Sequence, residues 1–275
     1  MKRSAIAVLI PVFNNQAGLA RSLASLIDDT IPFDVVIVDD GSLEPTSAPT
    51  ELVPGRPVHL FRLDKNRGIA GALNHGLQSI LANSYRYVAR LDAGDTVVHG
   101  RLALQEAFME SHPECAAVSS FVDFVDPAGN LLFRYLAPTT HDRIMRRMHL
   151  NNCMVHSGAM LRSSALQTFG PYDEAWLVTE DYELFLRLGT RSKLAVLPEV
   201  LTRCEYNVGG LSVTRRRTQQ IYRLKLQIRY FDPWALASYY GVLRTLAALA
   251  VPHSFVFYWK RRYGRGFPQA EAPRR

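Results

Sequence analysis

Apolar runs alternate with helical patterns along the first hundred residues of the chain. Residues 5–13 are almost continuously apolar, which is typical of a strand that is covered on both faces. Residues 17–28 then place leucines at helical spacing, and the same order of patterns returns in residues 34–39, 69–83 and 87–91. This alternation predicts an α/β fold in which helices sandwich a mainly parallel sheet with right-handed crossovers.

Polar side chains follow three of these predicted strands. Asn14 comes after the first strand, Asp39 ends the second, and Asp92 and Asp95 follow the strand at residues 87–91. Ligands of such sheets bind beyond the carboxyl ends of the strands. Carboxylates that converge there repel one another unless a cation or hydrogen-bond donors lie between them. A divalent-cation or polar-ligand site is therefore favoured over two independent helix caps.

Length and composition exclude several classes of protein. A chain of 275 residues with 48% hydrophobic and 21% charged residues is expected to bury a large core, and it is not disordered, collagenous or a coiled coil as a whole. Its three cysteines include no C-x-x-C pair, which excludes a disulfide framework or zinc knuckle and fits a reducing cytosol. The run at residues 5–13 indicates a strand rather than a signal peptide, and no run reaches the roughly 20 apolar residues of a membrane span.

Positive charge is concentrated at the end of the sequence. Residues 215–275 contain 13 Lys and Arg against 2 Asp and Glu, a net charge of +11, whereas the first 214 residues contain 19 against 23, a net charge of −4. Such a basic segment favours a polyanion: an anionic membrane surface, a nucleic acid or a phosphorylated acceptor. Nucleic acid is disfavoured because the segment has no RNP-like, zinc-finger or helix-turn-helix pattern. The alternative to membrane association is a helical layer packed on the body, or a homodimer contact.

The second half of the sequence predicts a more mixed arrangement. Residues 101–112 have a helical pattern, and a strand at residues 116–125 is followed by a hairpin partner at residues 131–136. A further strand is predicted at residues 155–161 and a short helix at residues 163–169.

Two more elements are predicted before the basic segment. Thr179 is typical of a helix cap, and the helix continues from Glu180 to Gly189. Residues 193–200 form a predicted strand that Pro198 ends. Basic and aromatic helix is expected after these elements.

Five segments of the sequence occur together in the order found in a known family. They are IPVFNN at residues 10–15, VIVDDGS at 36–42, DKNRGIAGALNHGL at 64–77, YVARLDAGD at 87–95 and TEDYELFLRL at 179–188. With these segments the chain resembles the family 2 glycosyltransferases, nucleotide-sugar-dependent enzymes with the GT-A fold.

The resemblance implies a division of the chain into three parts. Residues 1–100 correspond to the nucleotide-sugar-binding half of a Rossmann-like GT-A domain, and residues 101–205 to its acceptor-binding half. Residues 206–275 form a basic, aromatic-rich helical C-terminal extension, and from residue 215 onward the chain lies outside the resemblance.

One group of residues is assigned to the donor by this resemblance. Asp39 is placed on the base, where its carboxylate accepts a hydrogen bond from the imide N–H of uracil or thymine, so a UDP- or dTDP-sugar is favoured. Phe13 either stacks on the base or is a core aromatic, and Arg67 either contacts the diphosphate or is a solvated surface residue. The whole predicted donor-binding set is Pro11, Phe13, Asn14, Asp39, Asn66, Arg67, Gly68 and Asp92.

Residues 92–95 stand at the metal motif of the family, Asp-x-Asp or Asp-x-Asp-Asp. The resemblance implies Mg²⁺ or Mn²⁺, which are hard cations that prefer carboxylate and phosphate oxygens. Asp95 is the predicted metal ligand, and Asp92 is assigned to the ribose or to the metal. Gly94 occupies the third position of the motif, and this departure leaves both metal dependence and ligand identity open.

Asp181 matches the Glu-Asp motif that carries the catalytic base of the family. A carboxylate in the first turn of a helix is stabilised as the anion, which a general base requires, although such acids are also common without catalysis. The implied reaction is a direct displacement with inversion, in which Asp181 takes the proton of the attacking acceptor hydroxyl. His156, Glu180 and Arg215 are further candidates for contact with the acceptor or the diphosphate; a structural histidine and a solvated basic face are the alternatives.

The predicted function is transfer of a sugar from a nucleoside-diphosphate sugar to a hydroxyl of a saccharide or lipid-linked saccharide, in the synthesis of a bacterial surface polysaccharide. The expected location is the cytoplasm, peripheral on the inner membrane. The alternative is a catalytically impaired GT-A-like protein that binds a nucleotide or glycan, because Gly94 alters the metal motif.

Overall fold

The computed structural model describes residues 4–206 and 215–250 of the chain. Its strands are β1 (Ile6–Val12), β2 (Asp34–Asp39), β3 (Val58–Arg62), β4 (Tyr87–Arg90), β5 (Thr96–Val97), β6 (Cys115–Val125), β7 (Leu131–Tyr135), β8 (Met160–Arg162) and β9 (Lys193–Glu205). Its α-helices are α1 (Gln16–Leu26), α2 (Gly68–Ala82), α3 (Arg101–Ser111), α4 (His141–Met148), α5 (Ser163–Phe169), α6 (Glu180–Gly189), α7 (Arg216–Arg229) and α8 (Leu236–Ala250).

These strands form one sheet in the order β3-β2-β1-β4-β8-β6-β9-β5, and β7 pairs with β6 beside this path. The first four strands pair in parallel, as the alternating patterns predict. Beyond β4 the directions are mixed, because β8 runs antiparallel to both β4 and β6 while β9 runs parallel to β6. The short connection between β6 and β7 makes the predicted antiparallel hairpin, since parallel pairing needs a longer crossover.

Strand β1 shows why its sequence is almost continuously apolar. Ala7 and Leu9 belong to the core on one face of the sheet, and Ile6, Val8 and Ile10 belong to the core on the other face. Side chains alternate between the two faces of a strand, and both faces of β1 are covered. The sandwich of helices around the sheet is therefore confirmed.

The prediction of a strand over residues 155–161 is wrong. His156–Gly158 forms a 3₁₀ turn, and only Met160–Arg162 is a strand. In this turn the Ser157 hydroxyl accepts a hydrogen bond from the backbone N–H of Asp92. Side-chain bonds of this kind compete with the hydrogen bonds of a sheet ladder, so the segment turns toward the end of β4 before it joins the sheet.

Two predictions about element ends are also wrong. Strand β9 continues beyond Pro198 to Glu205, because the pairing with β6 shifts register around the proline and then resumes. Helix α6 begins at Glu180 as predicted, but the Thr179 hydroxyl makes no cap bond. That hydroxyl is buried without a hydrogen-bond partner.

Helices α7 and α8 are the described part of the C-terminal extension. Leu226 of α7 is buried in the core, and the Gln227 amide donates to the backbone carbonyls of His149 and Leu150. The extension therefore packs on the body through one side of this helix pair. None of the helices in residues 4–206 and 215–250 is both long and apolar enough to cross a membrane. The basic cluster at residues 260–262 lies outside the described residues.

Candidate active site

Four carboxyl groups converge beyond the end of β4. Asp92 and Asp95 lie in the loop after β4, and Glu180 and Asp181 begin α6. Burial raises the pKa of Asp95, Glu180 and Asp181, and the negative charge of Asp92 adds to the shift in each. Coulombic influence of this kind acts over short distances. The fold thus brings together carboxylates that are far apart along the chain.

A fully buried arginine holds Asp92 in position. The Arg90 guanidinium forms an ion pair with Asp92 Oδ1 at 2.5 Å and donates to the carbonyl oxygen of Leu9 in β1. Its Nε donates to His156 Nε2 at 3.3 Å. The Asp92 side chain keeps 41% of its surface exposed. Asp92 is therefore oriented from the protein side and still accessible from the solvent side.

His156 is bonded on the protein side of this network. Its Nε2 contacts the Tyr172 hydroxyl at 2.6 Å as well as Arg90, and its ring packs edge-on against Tyr172 and Phe185. Because Arg90 can only donate, Nε2 is the acceptor and the imidazole is neutral. Burial and the charge of Arg90 lower the pKa of His156 well below its usual value. These contacts favour the structural alternative for His156, as a residue that positions Arg90.

Asp181 has the environment of a general base. Its Oδ2 accepts from the Asn152 amide at 2.8 Å and its Oδ1 from the Tyr182 backbone N–H at 2.7 Å. Burial raises the pKa of Asp181 to about 6, although both hydrogen bonds oppose the shift. A base is most effective when its pKa lies near the working pH. Asn152 was not among the residues expected from the sequence.

Glu180, next to Asp181, lies in an environment that favours its protonated form. Burial, and then the charges of Asp181 and Asp92, raise the pKa of Glu180 to about 8. The side chain is therefore mainly protonated at neutral pH and can donate a hydrogen bond as well as accept one. Burial and the charge of its neighbour thus favour the protonated form of Glu180.

The loop after β4 is held in place by hydrogen bonds. Ser22 of α1 donates to the Asp95 carbonyl at 2.7 Å and accepts from the Gly94 N–H at 2.9 Å. The buried Asp95 carboxyl accepts from the Glu205 N–H at 2.9 Å. Gly94 has a φ of +115°, a conformation that residues with a side chain rarely adopt. The backbone itself is adapted to glycine at this position of the motif.

The carboxylates beyond β4 provide part of a ligand shell for a divalent cation. No group of three or more His, Cys, Asp and Glu side chains that could hold a metal occurs in residues 4–206 and 215–250. Mg²⁺, however, is commonly held by one or two carboxylates together with substrate phosphates. Asp92 is exposed enough to provide such a bond, while Asp95 is buried and bonded to the Glu205 backbone. The residues fit a cation that completes its ligand shell with a phosphorylated substrate.

The second acidic strand end, at β2, is arranged differently. Asp39 accepts from the backbone N–H of Ser42 at 2.9 Å and of Thr46 at 3.0 Å, and it pairs with Arg62 at 3.2 Å. Burial raises the pKa of Asp39, but these hydrogen bonds outweigh it and the pKa is lowered. In the same loop, Asn14 Oδ1 accepts from the Leu43 N–H. Asp39 organises this loop, and its contact with a base stays a prediction.

The loop before α2 meets the neighbouring carboxylate. Asp40 Oδ1 accepts from the backbone N–H of Arg67 at 2.7 Å, and Asn66 Oδ1 accepts from the N–H of Gly68. The Arg67 guanidinium lies 3.8 Å from Glu174 and is half exposed. Asp40 belongs to the VDDGS segment but was not singled out in the sequence.

A cavity of about 550 Å³ opens between these loops and the start of α6. Among the predicted site residues, its wall includes Pro11, Phe13, Asn66, Arg67, Gly68, Glu180 and Arg215. The Phe13 side chain is 47% exposed, which excludes the core alternative for this residue. Asp181 and Asp92 do not line the cavity themselves. Glu180 does, and the charges of both aspartates raise the pKa of Glu180.

Another part of the cavity wall comes from four residues that the sequence did not single out, Glu174, Trp176, Leu177 and Val178. Trp176 lines the cavity and is contacted from outside by Tyr222 and by the Arg229 guanidinium of α7. Val178 has a φ of +56°, which is a strained conformation for a β-branched residue. Strain of this kind is concentrated at functional sites. Only the three-dimensional structure reveals either signal.

Comparison with known proteins identifies the family and the fold. The model of Glycosyl transferase family 2 matches residues 7–170. The amylovoran biosynthesis glycosyltransferase AmsE of Erwinia amylovora is 31% identical over 258 residues, covering 88% of this chain and 93% of the relative. TarS of S. aureus, residues 1–349, has a TM-score of 0.64 at 15% identity, covering 91% of this chain and 74% of TarS. The mannosyltransferase PcManGT of Pyrobaculum calidifontis, solved with GDP-Man and Mn²⁺, has a TM-score of 0.62 at 18% identity, covering 90% and 70%.

The parallel half-sheet, the carboxylates beyond its strand ends and the structural neighbours together define a GT-A glycosyltransferase fold. Since the family model and the 31% identical relative each cover more than half of the chain, the chain belongs to glycosyl transferase family 2.

Proposed function

We propose that this chain transfers a sugar from a nucleoside-diphosphate sugar to a hydroxyl of a saccharide or lipid-linked saccharide acceptor, with inversion at the anomeric carbon. The observation that carries the proposal is the placement of Asp181 at the start of α6, bonded to Asn152 and close to Asp92. Beside it lies a cavity lined by Arg67 and Arg215. This reaction needs a base, a carboxylate able to hold a cation, and positive charge for a diphosphate.

Bond making and bond breaking occur together in the proposed reaction. The acceptor oxygen bonds to the anomeric carbon as its proton passes to Asp181. The bond from that carbon to the diphosphate oxygen breaks, and the nucleoside diphosphate leaves with the electron pair. Arg67 and Arg215 stabilise the charge that develops on it. Asp92, with Asp95 as the second predicted ligand, would hold a divalent cation, and such a cation would supply further positive charge to the diphosphate.

The donor in this proposal carries a uracil or thymine base. The exposed ring of Phe13 provides a stacking surface in the cavity. The contact with the base is assigned to Asp39, which is buried at the end of β2 beside Asp40 of the cavity wall. Among the structural neighbours, TarS has been solved with UDP and with UDP-GlcNAc, whereas PcManGT has been solved with GDP-Man. A GDP-sugar is therefore the alternative donor against which the assignment of a uracil or thymine base has to be tested.

The acceptor in this proposal is an intermediate of a bacterial surface polysaccharide. The relative named for amylovoran biosynthesis supports this class of product. Growing polysaccharide units are often carried on lipids, so we further propose that the chain works as a peripheral protein at the cytoplasmic face of a membrane. The net charge of +11 on residues 215–275 supports this location.

A panel of UDP-, dTDP- and GDP-sugars, each with and without Mn²⁺, tests the proposal. We expect one UDP- or dTDP-sugar to raise the Tm in the presence of Mn²⁺, because a ligand that binds only the native state stabilises it. The same compound should release its nucleoside diphosphate when incubated with the protein, as chromatography would show. If nucleotide-sugars bind tightly but none of them releases its nucleoside diphosphate, even with acceptor lipid extract added, the chain is instead the impaired nucleotide-binding protein.

A further inference from the structure

Helix α8 is oriented with its small residues toward the body of the protein. Ser238, Gly241 and Thr245 are its buried residues, and they are spaced at three and four positions along one face. The Ser238 hydroxyl contacts His149 Nδ1 at 3.0 Å. A side chain at Gly241 would overlap the carbonyl oxygen of His149. The close approach of α8 to the body therefore depends on small side chains.

Its large apolar side chains face the opposite way. The exposed set, which we call the α8 apolar face, consists of Trp234, two residues before the helix, and of Leu236, Tyr239, Tyr240, Leu243 and Leu246 in the helix. Trp234 is 93% exposed and Leu236 is 85% exposed. Surface helices normally turn their apolar residues toward the core. Contiguous exposed apolar patches mark an interaction surface for a protein or a membrane.

Charge distinguishes between these two kinds of partner. Lys225, Arg229 and Arg244 are exposed on the helix pair, where the only acidic residue is Asp232. Residues 251–275, which follow α8 in the chain, contain six Lys and Arg against one Glu. Helices that lie on anionic lipid combine an apolar face that contains Trp and Leu with many Lys and Arg residues, which is the composition found here.

We propose that the α8 apolar face inserts at the surface of an anionic lipid bilayer. This inference rests on the proposed function for its location, and it names the surface that makes the contact. The aromatic and leucine side chains enter the region between headgroups and acyl chains, and the basic residues pair with lipid phosphates. No helix in the described part of the chain crosses the bilayer.

The helix pair also connects this face to the cavity. Arg215, immediately before α7, lines the cavity, and Tyr222 and Arg229 of α7 contact Trp176 in its wall. Docking through α8 therefore holds that wall close to the lipid surface. A lipid-linked acceptor would reach the cavity without leaving the headgroup region.

Flotation of the full chain with vesicles tests the proposal. Phosphatidylcholine vesicles with and without phosphatidylglycerol are compared for the wild type and for the triple variant Trp234→Ser, Leu236→Ser, Leu243→Ser. The matched control is Leu104→Ser, Leu131→Ser, Leu132→Ser, which removes three exposed leucines elsewhere. We expect the wild type and the control to float with phosphatidylglycerol vesicles. The binding of the α8 variant to these vesicles should be at least about tenfold weaker, because the variant loses three apolar side chains from the interface.

Two results would overturn the proposal. One is binding of the α8 variant equal to that of the control. The other is a lipid-free wild-type dimer that the α8 variant dissociates, with no flotation of the wild type, since the face would then cover a second copy. Donor binding by thermal shift in lipid-free buffer separates the two proposals. A wild type that binds the donor but does not float refutes only the lipid contact, and a wild type that floats but does not bind the donor refutes only the enzyme.

Discussion

The acidic ends of β2 and β4 look alike in the sequence and differ in their environments. At β2, Asp39 is bonded by two backbone N–H groups and by Arg62, and its pKa is lowered. Beyond β4, Asp92 lies among the carboxyls of α6, and burial raises the pKa of Asp181 to about 6. The first arrangement favours the ionised form of the carboxylate and holds a loop. The second keeps a carboxylate close to its protonation point, as proton transfer requires.

The difference shows that motif position does not define a role. Both regions follow parallel strands, and both carry Asp at the strand end. What separates them is the number of donors that each carboxylate receives and the number of like charges nearby. Substitutions in the two regions should therefore have different kinds of effect.

The largest effect is expected for Asp181→Asn. The variant keeps the size of the side chain but cannot accept the proton, so turnover should fall by about 100- to 10,000-fold. Donor binding, measured by thermal shift, should survive. The matched control is Asp142→Asn, which removes a first-turn acid from α4 away from the site. Near-normal turnover of Asp181→Asn would mean that another residue is the general base.

Arg90→Met should destabilise the fold more than any other single change in this region. The guanidinium is fully buried and bonded to Asp92, His156 and Leu9, so its loss leaves buried polar groups without partners. The expected cost is about 3–5 kcal/mol in the free energy of unfolding, measured with urea. Arg86→Met, in a half-exposed pair with Glu110, should cost about 1 kcal/mol or less. Equal losses in the two variants would contradict this account of Arg90.

Asp39→Asn tests the β2 region in the same way. The amide nitrogen of Asn cannot accept the bonds that Ser42 and Thr46 donate, so one backbone N–H is left unsatisfied. We expect a loss of about 1–3 kcal/mol in unfolding free energy. The exposed Asp64→Asn should change stability by about 0.5 kcal/mol at most. If the two variants unfold at the same urea concentration, Asp39 does not hold the loop.

The smallest expected effect is a shift in pH dependence. A base must be ionised, so turnover should decline as the pH falls through about 6, the pKa of Asp181. The Asn152 amide stabilises the ionised form by donating to it. Asn152→Ala should therefore raise this pKa and move the acidic limb of the pH–rate profile upward. If the acidic limb does not move, either Asn152 does not set the pKa of the base or Asp181 does not take part in the rate-limiting proton transfer.

The first half of the fold could be predicted because its signals are local. The apolar residues of β1 by themselves indicate burial on both faces, and the helix predicted at residues 69–83 is found at Gly68–Ala82. Predictions failed where distant contacts decide the backbone. The turn at His156–Gly158 forms because Ser157 bonds to Asp92, and β9 passes Pro198 because β6 pairs with it on both sides of the proline.

The same distinction applies to the site. The roles expected for Asp181 and Asp92 came from motif order, and the structure places the two carboxylates close together. Asn152, Tyr172 and Trp176 have no local pattern that marks them. Each acquires its contact from a segment far away in the chain.

The sequence by itself determined the parallel half-sheet, the family and the acidic strand ends, since these depend on side-chain periodicity and on short motifs. The tertiary structure alone decided which carboxylates are saturated by donors, how Arg90 joins Asp92 to His156, and that α8 faces outward with its large apolar residues. The physical reason is that pKa values, buried ion pairs and the exposed side of a helix depend on neighbours that packing brings together.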